Sequence, residues 1–537
     1  RIVMYMNPSA VYPDHPLYDD IVARRPDGKL TEYGRLGATV ICTNHPKYRE
    51  FLSGVLEEAF TNYELDGLYV DGLSPHRCCC EYCRAKYRDM WNEDMPLEKV
   101  EDVREWWALW EMVSQPLPVG DPADPDMERY RQFLDKSQAE ITQLVHDTVK
   151  RCNPEAVILF HTWPKPSTIE YYDGTLTEIY VKRPWIHKAW KYGELANLGT
   201  MFDVPSLCNI YLEHNTAAEA RYKMFQVLAN GAYPNCWHFE GMETIFQYQR
   251  ENAAYYDFAR TNPVPFLIFP REIHLSEVHR KRADEENLGY HGSLEHFILP
   301  GIGLYAALTR SGLPVINVHA ADFEQELSRY RVLCLSQLTG MSPEQVEAVR
   351  RFVANGGGLI ATHETSLIDD KAERKSDFML AGVFGASYGG TLEAAERKIS
   401  FPGDDWMTSL EEGLPSLEHN EAHLLVKPTT GKVVASLTGK GVPVEGAPAM
   451  IVNQFGKGRV VYLPGRFDLA EAKEPSPAIE RLFASAVRWV AQDELPVEIK
   501  TEDMIGVSLY DQPERRFLHL VSHNSDSQLR TDEVRPA

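Results

Sequence analysis

Asp66-Gly67-Leu68-Tyr69-Val70-Asp71-Gly72-Leu73 is the stretch on which the fold turns. Its middle, Leu68 to Val70, is short, apolar and aromatic, the pattern of a buried parallel strand. It stops abruptly on Asp71-Gly72. A carboxylate at the C-terminal end of a buried strand is costly unless it is paired or used. In a β/α barrel that end is the active-site face. The competing reading is a plain turn, which Asp-Gly favours.

The flanks extend the pattern. Upstream, Ile2 to Met6 reads as a strand and Val40 to Thr43 as a short one. Asn44-His45-Pro46 opens a helix in which Tyr48, Phe51, Leu52, Val55, Leu56, Ala59 and Phe60 fall at helical spacing. Strand, helix, strand implies a parallel sheet. Downstream come a cysteine-rich loop, a segment with Trp106, Trp107 and Trp110, and a loop over Pro116 to Pro125. A helical stripe follows through Tyr130, Phe133, Leu134, Ile141, Leu144, Val145 and Thr148. Strands are expected at Ala156–Phe160, Thr175–Val181, Ser206–Leu212 and Asn235–Phe239, with helices over Ala217–Asn230 and Ile245–Arg260. This makes six strand–helix repeats where a complete barrel has about eight. The expected fold class is therefore α/β, a (β/α)8 TIM barrel truncated at its N-terminus. The alternative is an open doubly wound sheet. Polar residues recur at nearly every strand end, whereas an open sheet would gather them at one switch point.

Thr261-Asn262-Pro263-Val264-Pro265 reads as a linker. Beyond it, a helix over Leu294–Ser311, strands at Val315–Val318, Val332–Leu335, Leu359–Thr362 and Arg459–Leu463, and a helix starting at Ser342-Pro343 describe a flavodoxin-like α/β domain. Gly356-Gly357-Gly358 closes that helix. The triplet is not a phosphate loop, because it follows a helix and lacks the Gly-Lys-Ser/Thr ending. Val497–Ile499, Gly506–Leu509 and Phe517–Val521 alternate as short strands, the start of a β-sandwich. The expected domains are residues 1–262, 263–492 and 493–537.

The 537 residues carry a formal net charge of −23, which disfavours nucleic acid and anionic membranes as partners and suits a neutral substrate. No apolar run approaches a membrane span. The nine cysteines are odd in number, and Cys78, Cys79, Cys80 and Cys83 crowd together, unlike a spaced disulfide framework. The expectation is a soluble, cytoplasmic protein whose N-terminus is missing. That missing start leaves the compartment open.

Asp66 to Gly72, followed by Cys78 to Cys83 and Arg84, resembles a group of bacterial glycoside hydrolase-like proteins related to family 42 β-galactosidases and to α-L-fucosidases. Phe352-Val353-Ala354-Asn355-Gly356-Gly357-Gly358-Leu359 with Thr362 to Leu367 resembles the β-galactosidase trimerisation domain. Phe517 to Val521 resembles the opening of the C-terminal β domain of the same proteins. The resemblance implies hydrolysis of a carbohydrate substrate and a homo-oligomer, a trimer. In α-L-fucosidases the nucleophile is an aspartate ending the fourth barrel strand, which transfers to Asp71. Family 42 places an Asn-Glu pair at that strand end. Here Asn-Glu occurs only at Asn92-Glu93 and Asn420-Glu421, neither at a barrel strand end, so that pair does not transfer.

A retaining glycosidase needs two carboxyls about 5 Å apart, an inverting one needs them farther apart. Asp71 is the candidate nucleophile. Glu178, Glu213 and, ranked below them, Glu240 compete for the acid/base role: Glu178 because its strand lies two along from that of Asp71, the offset α-L-fucosidases use, and Glu213 because His214 and Asn215 stand beside it. Glu240, whose Glu-Gly also suits a turn, is placed among the sugar-binding residues. Trp163 and Trp237 offer flat faces to sugar C–H groups, unless they only pack the barrel rim. His161, His214 and His238 are candidate hydroxyl partners, as are Tyr5, Asn7 and Asn44 at or near strand ends.

Cys78, Cys80 and Cys83 form C-x-C-x-x-C. Thiolates so close repel unless a cation or protons neutralise them, and a tetrahedral Zn²⁺ would do so. Family 42 enzymes can carry a structural zinc on this spacing plus one upstream cysteine, which transfers to Cys42, with His76 as the other choice. The competing reading is a set of reduced thiols. No organic cofactor is expected, since no dinucleotide or phosphate motif is present. The runner-up function is a non-catalytic sugar-binding or assembly protein on a decayed barrel. An amidotransferase-like use of Cys334 would need a sharp turn after it.

Overall fold

The computed structural model describes residues 2–33, 37–73, 78–101, 124–161, 167–179, 204–211, 216–236, 242–256, 262–263, 267–271, 299–319, 327–328, 330–371, 373–401, 416–444, 446–492, 495–497, 499 and 505–522. They fall into two units. One is Arg1–Tyr180, Leu198–Tyr211 and Ala232–Cys236; the other is Val181–Asn197, Leu212–Gly231 and Trp237–Ala537.

In the first unit, strands β1 (Val3–Met6), β2 (Gly67–Asp71), β3 (Val157–His161), β4 (Gly174–Ile179), β5 (Ser206–Ile210) and β6 (Tyr233–Cys236) form one six-stranded parallel sheet. The strands neighbour one another in chain order, β1-β2-β3-β4-β5-β6. That is barrel topology; a doubly wound sheet would reverse its order at a switch point. On β2 and β3 burial alternates. Leu68, Val70, Ile158 and Phe160 are fully buried against helices α1 (Pro46–Asn62) and α3 (Pro125–Cys152), the latter supplying Ile141, Val145 and Val149. The opposite row holds Tyr69, Asp71, Leu159 and His161. Helix α2 (Glu81–Trp91) follows the cysteine loop.

The helices form where their apolar spacing predicts. Pro46 starts α1 at its first turn, and Tyr48, Leu52, Leu56, Ala59 and Phe60 are buried. Phe51 departs from the expected stripe: it is exposed, with its ring 5.0 Å from that of His15. Asp124 caps α3 by accepting from the Asp126 amide. The expected strand at Val40 is Ala38–Val40, and it pairs antiparallel with Ala10–Val11 and Glu32–Tyr33 outside the barrel sheet. The tryptophans 106, 107 and 110 and His76 lie outside the described residues.

The second unit includes helices α4 (Ala217–Ala229) and α5 (Met242–Glu251). Helix α5 ends earlier than the pattern to Arg260 suggests, giving way to a 3-10 turn at Ala253–Tyr255. The expected linker is partly paired: β7 (Asn262–Pro263) runs antiparallel to the C-terminal hairpin. The main sheet has nine strands. Its parallel half comprises β8 (Leu267–Arg271), β9 (Ile316–His319), β10 (Val332–Leu335), β11 (Gly358–Thr362) and β18 (Gly458–Leu463). They stand in the order β9-β8-β10-β11-β18, the 2-1-3-4-5 order of flavodoxin. Between β11 and β18 the chain makes β12 (Ala386–Leu392), β13 (Arg397–Ser400), β14 (Leu417–Glu418), β15 (His423–Pro428), β16 (Lys432–Gly439) and β17 (Ala447–Phe455). Strands β17, β16, β13 and β14 extend the sheet beyond β18 with antiparallel pairing.

Helices α6 (Leu299–Arg310), α7 (Pro343–Ala354), α8 (Phe467–Lys473) and α9 (Pro477–Ala491) belong to this unit. Cys334 is fully buried in mid-strand, and burial pushes its thiol up, so an exposed nucleophile elbow there finds no support. The hairpin β19 (Ile505–Gln512) and β20 (Arg515–Ser522) is the expected β start. Its third strand is β7. Residues 497 and 499, read as strand from sequence, carry none. No described helix is long and apolar enough to cross a membrane.

Candidate functional site

Asp71 closes β2 level with His161 at the end of β3. Its Oδ1 lies 2.6 Å from Nδ1 of His161. Its Oδ2 accepts from Tyr5 Oη at 2.5 Å and from Asn7 Nδ2 at 3.3 Å. Burial would push this carboxyl up, but the hydrogen bonds from His161, Tyr5 and Asn7 and the neighbouring imidazole hold it below the usual aspartate value. An ionised carboxylate only accepts, so His161 Nδ1 carries the proton between them. In neutral imidazole Nε2 is then an acceptor facing away from Asp71.

The loop after β1 wraps this strand end. The Ser9 amide donates to Asn7 Oδ1 at 3.2 Å, which turns Nδ2 of Asn7 toward Asp71 and toward Tyr33 Oη at 3.0 Å. Ser9 Oγ donates to the Gly72 carbonyl. Gly72 has φ +68, and a Cβ there would sit 3.0 Å from Tyr33 Oη, so the turn needs glycine. Tyr69 lies on the same face as Tyr5, ring centroids 5.3 Å apart and edge to face. Tyr33 and Tyr69 were absent from the sequence candidates. Tyr69 could have been found from strand alternation, two residues before Asp71. Tyr33 has no local signal, because a separate antiparallel sheet delivers it.

Asp71, His161, Tyr5 and Asn7 are thus brought together. Asn44 is not among them: its amide donates to Cys83 Sγ and Ser137 Oγ, and its oxygen accepts from Lys86 and Arg49. It follows a strand of the small antiparallel sheet, not of the barrel. Glu178 lies on β4, in register with Asn209 of β5, which is in register with Asn235 of β6. The Glu178 side chain lies outside the described residues. Trp163, Glu213, His214, Trp237, His238 and Glu240 lie outside the described residues.

Cys42, Cys78, Cys80 and Cys83 offer sulfur atoms that all lie within 4.8 Å of one another. Cys42 Sγ is 3.6 Å from that of Cys80 and 3.5 Å from that of Cys83. Four thiolates around a tetrahedral Zn²⁺ at Zn–S of about 2.3 Å stand about 3.8 Å apart, so this set fits zinc. Backbone and side-chain N–H groups point at the sulfurs: the Arg24 amide at Cys78, 3.4 Å, and Asn44 Nδ2 at Cys83, 3.5 Å. Hydrogen bonds from Cys42 and the other thiols push Cys80 down, while those from Cys42, Cys78 and Cys80 push Cys83 up. All four thiols are free.

Residues 290–480 match the β-galactosidase trimerisation domain. Over 548 aligned residues the chain is 20% identical to a β-galactosidase of Alicyclobacillus acidocaldarius, covering 90% of this chain and 78% of that one. The chain is related to the family 42 β-galactosidases. The solved family 42 β-galactosidase from G. stearothermophilus superposes with a TM-score of 0.68 at 15% identity, over 96% of this chain and 82% of that one. An α-L-fucosidase isoenzyme from Paenibacillus thiaminolyticus gives 0.65 at 15% identity, over 97% and 76%. Against this family 42 background the Asn-Glu pairs are informative. Asn92 is the left-handed C-cap of α2, and Glu93 pairs with Arg129. Asn420 follows β14, and Glu421 pairs with Lys473. Neither stands at a barrel strand end; Asp71-Gly72-Leu73 does.

Proposed function

We propose that this chain is a glycoside hydrolase that cleaves a carbohydrate at the C-terminal end of its barrel sheet. The observation that carries the reading is the ionised Asp71 carboxylate at the end of β2, held by His161, Tyr5 and Asn7. In the retaining form, a strand-end glutamate, Glu178 or Glu213, protonates the leaving oxygen as Asp71 attacks the anomeric carbon. The same glutamate then takes a proton from water, which displaces Asp71. A nucleophile must be ionised and a proton donor must not, and the donors around Asp71 serve the first need. Its three bonds leave one lone pair of Oδ1 for the sugar. The β-galactosidase and α-L-fucosidase relatives favour a galactoside or fucoside.

Zinc, where present, is structural. Cys42, Cys78, Cys80 and Cys83 would hold it, cross-linking the loop before α1 to the start of α2, with no coordination position left for chemistry. The trimerisation-type domain favours a homotrimer.

The test is hydrolysis of a panel of nitrophenyl glycosides by the full-length protein and by Asp71→Asn, Glu178→Gln and Glu213→Gln. Asp71→Asn is expected to lose about 1,000-fold or more in kcat/KM at an unchanged melting temperature. The glutamate that serves as acid/base is expected to cost about 100- to 10,000-fold, the other far less. Full activity of Asp71→Asn would move the chemistry to the glutamates.

A further inference from the structure

Behind the four thiols stands a group of polar side chains that the hydrolytic site does not use. Asn44 is at its centre. Its Oδ1 accepts from Lys86 Nζ at 3.1 Å and from Arg49 Nη2 at 3.2 Å. Lysine and arginine only donate, so this face of the amide must be oxygen. The Nδ2 face is then turned to Cys83 Sγ at 3.5 Å and Ser137 Oγ at 3.0 Å. Two cations on the amide oxygen polarise its N–H groups toward sulfur. Glu140 Oε2 holds both cations, Lys86 at 2.8 Å and Arg49 at 3.1 Å, so the cluster keeps one net positive charge. Arg49 Nε also fixes the Thr43 carbonyl, between Cys42 and Asn44.

Zinc with four thiolates carries two net negative charges, and Cys42, Cys78 and Cys83 are buried. Buried charge of that size needs compensation close by. We infer that Asn44, backed by Lys86 and Arg49, is a positioning residue that screens the zinc–thiolate centre through Cys83 and slows loss of the metal. This inference rests on the zinc reading of the cysteines. It goes beyond it by naming which side chains set how firmly the metal is held. Lys86 and Arg49 are each one of two cations on the amide oxygen, so removing either should act in the same direction as removing Asn44 with a smaller effect. Ser137 and Glu140 sit on α3, Lys86 on α2 and Arg49 on α1, so the screen is assembled only when those three helices have packed.

The experiment measures zinc retention by the full chain. Wild type, Asn44→Ala, Lys86→Met and a distant control, Glu57→Gln, are loaded with Zn²⁺ under reducing conditions. Release to an excess of the chromogenic chelator 4-(2-pyridylazo)resorcinol is then followed, beside the thiolate charge-transfer band of the Co²⁺ forms. Removal of an outer-shell partner typically costs 10- to 100-fold in metal affinity, so release from Asn44→Ala should quicken by about that factor. Lys86→Met should fall between Asn44→Ala and wild type, and Glu57→Gln should match wild type. The Co²⁺ band should shift in Asn44→Ala, which a purely structural loss would not produce. Lys86→Met keeps the test available should Asn44→Ala fail to fold. Equal release and unchanged bands in wild type and both variants would overturn the role of Asn44 while leaving the zinc reading intact. A wild type that takes up no Zn²⁺ would overturn both.

Discussion

At the residue scale, Asp71 is charged because donors surround it. Burial opposes the charge, and His161, Tyr5 and Asn7 outweigh burial. Removing a donor should therefore raise the pH at which Asp71 takes up its proton. In Tyr5→Phe and His161→Gln, the acid limb of kcat/KM should move to higher pH by about one unit. A limb that stays in place would remove Asp71 as the ionising group. The stability sign follows the same shift. A depressed carboxyl contributes above the ordinary value of about 3.9 and is lost as pH falls through the lower folded one. Asp71 and His161 could be read from sequence because each ends an apolar run. Asn44 looked equivalent and was not. It also follows a strand, but one of the small antiparallel sheet, and only long-range pairing distinguishes the two cases.

At the scale of elements, local chemistry explains the best-read pieces. Ser342 and Gln345 form a reciprocal capping box at α7, with Pro343 in its first turn. Ser342→Ala should cost about 1 kcal/mol in urea unfolding. Helix α6 shows the opposite case, where the constraint is tertiary. A Cβ on Gly303 would lie 1.9 Å from the Asp468 carbonyl, which is backbone and cannot swing away. Gly303→Ala should cost more than 2 kcal/mol, and a neutral outcome in the same assay would mean that α6 and α8 can separate. Strand β8 escaped the sequence reading because Pro270 interrupts it, although β8 supplies the first strand of the flavodoxin order. The strands from 386 to 455 escaped for another reason. They pair antiparallel with one another, and no helical pattern separates them.

For the whole molecule, opposed titrations in the second unit set how stability varies with pH. His419 and His423 are buried, and burial above all pushes them down to about 3 and about 4. The unfolded chain binds protons there from about pH 6.5 downward. Stability thus falls as pH drops through that range. Burial, with Glu480 adding to it, pushes Glu471 up to about 7 despite the Ser476 amide and Arg310. The folded chain keeps that proton while the unfolded one releases it, so stability falls as pH rises from 4.5 to 7. Two unfolded-state histidines outweigh one folded-state glutamate up to about pH 7, so these groups make stability rise with pH toward neutrality. Denaturant midpoints between pH 4.5 and 8 check this, and Glu471→Gln should steepen the rise in stability between pH 4.5 and 7. In sedimentation, three chains should travel together; a monomer at micromolar concentration would remove the trimer.

The order of the nine-stranded sheet also has a meaning in time. Strand β18 is central in that sheet, with β11 on one side and β17 on the other, yet it is the last of the nine to leave the ribosome. Residues 267–362 and the antiparallel strands 397–455 cannot be joined until Gly458–Leu463 emerges between them. Until then, the inner edge of each half is an unpaired row of backbone groups, open to a neighbouring nascent chain. Synthesis speed between residues 267 and 463 thus becomes a determinant of yield. Slow codons far enough beyond Leu463 for β18 to have left the ribosome would give it time to close the seam.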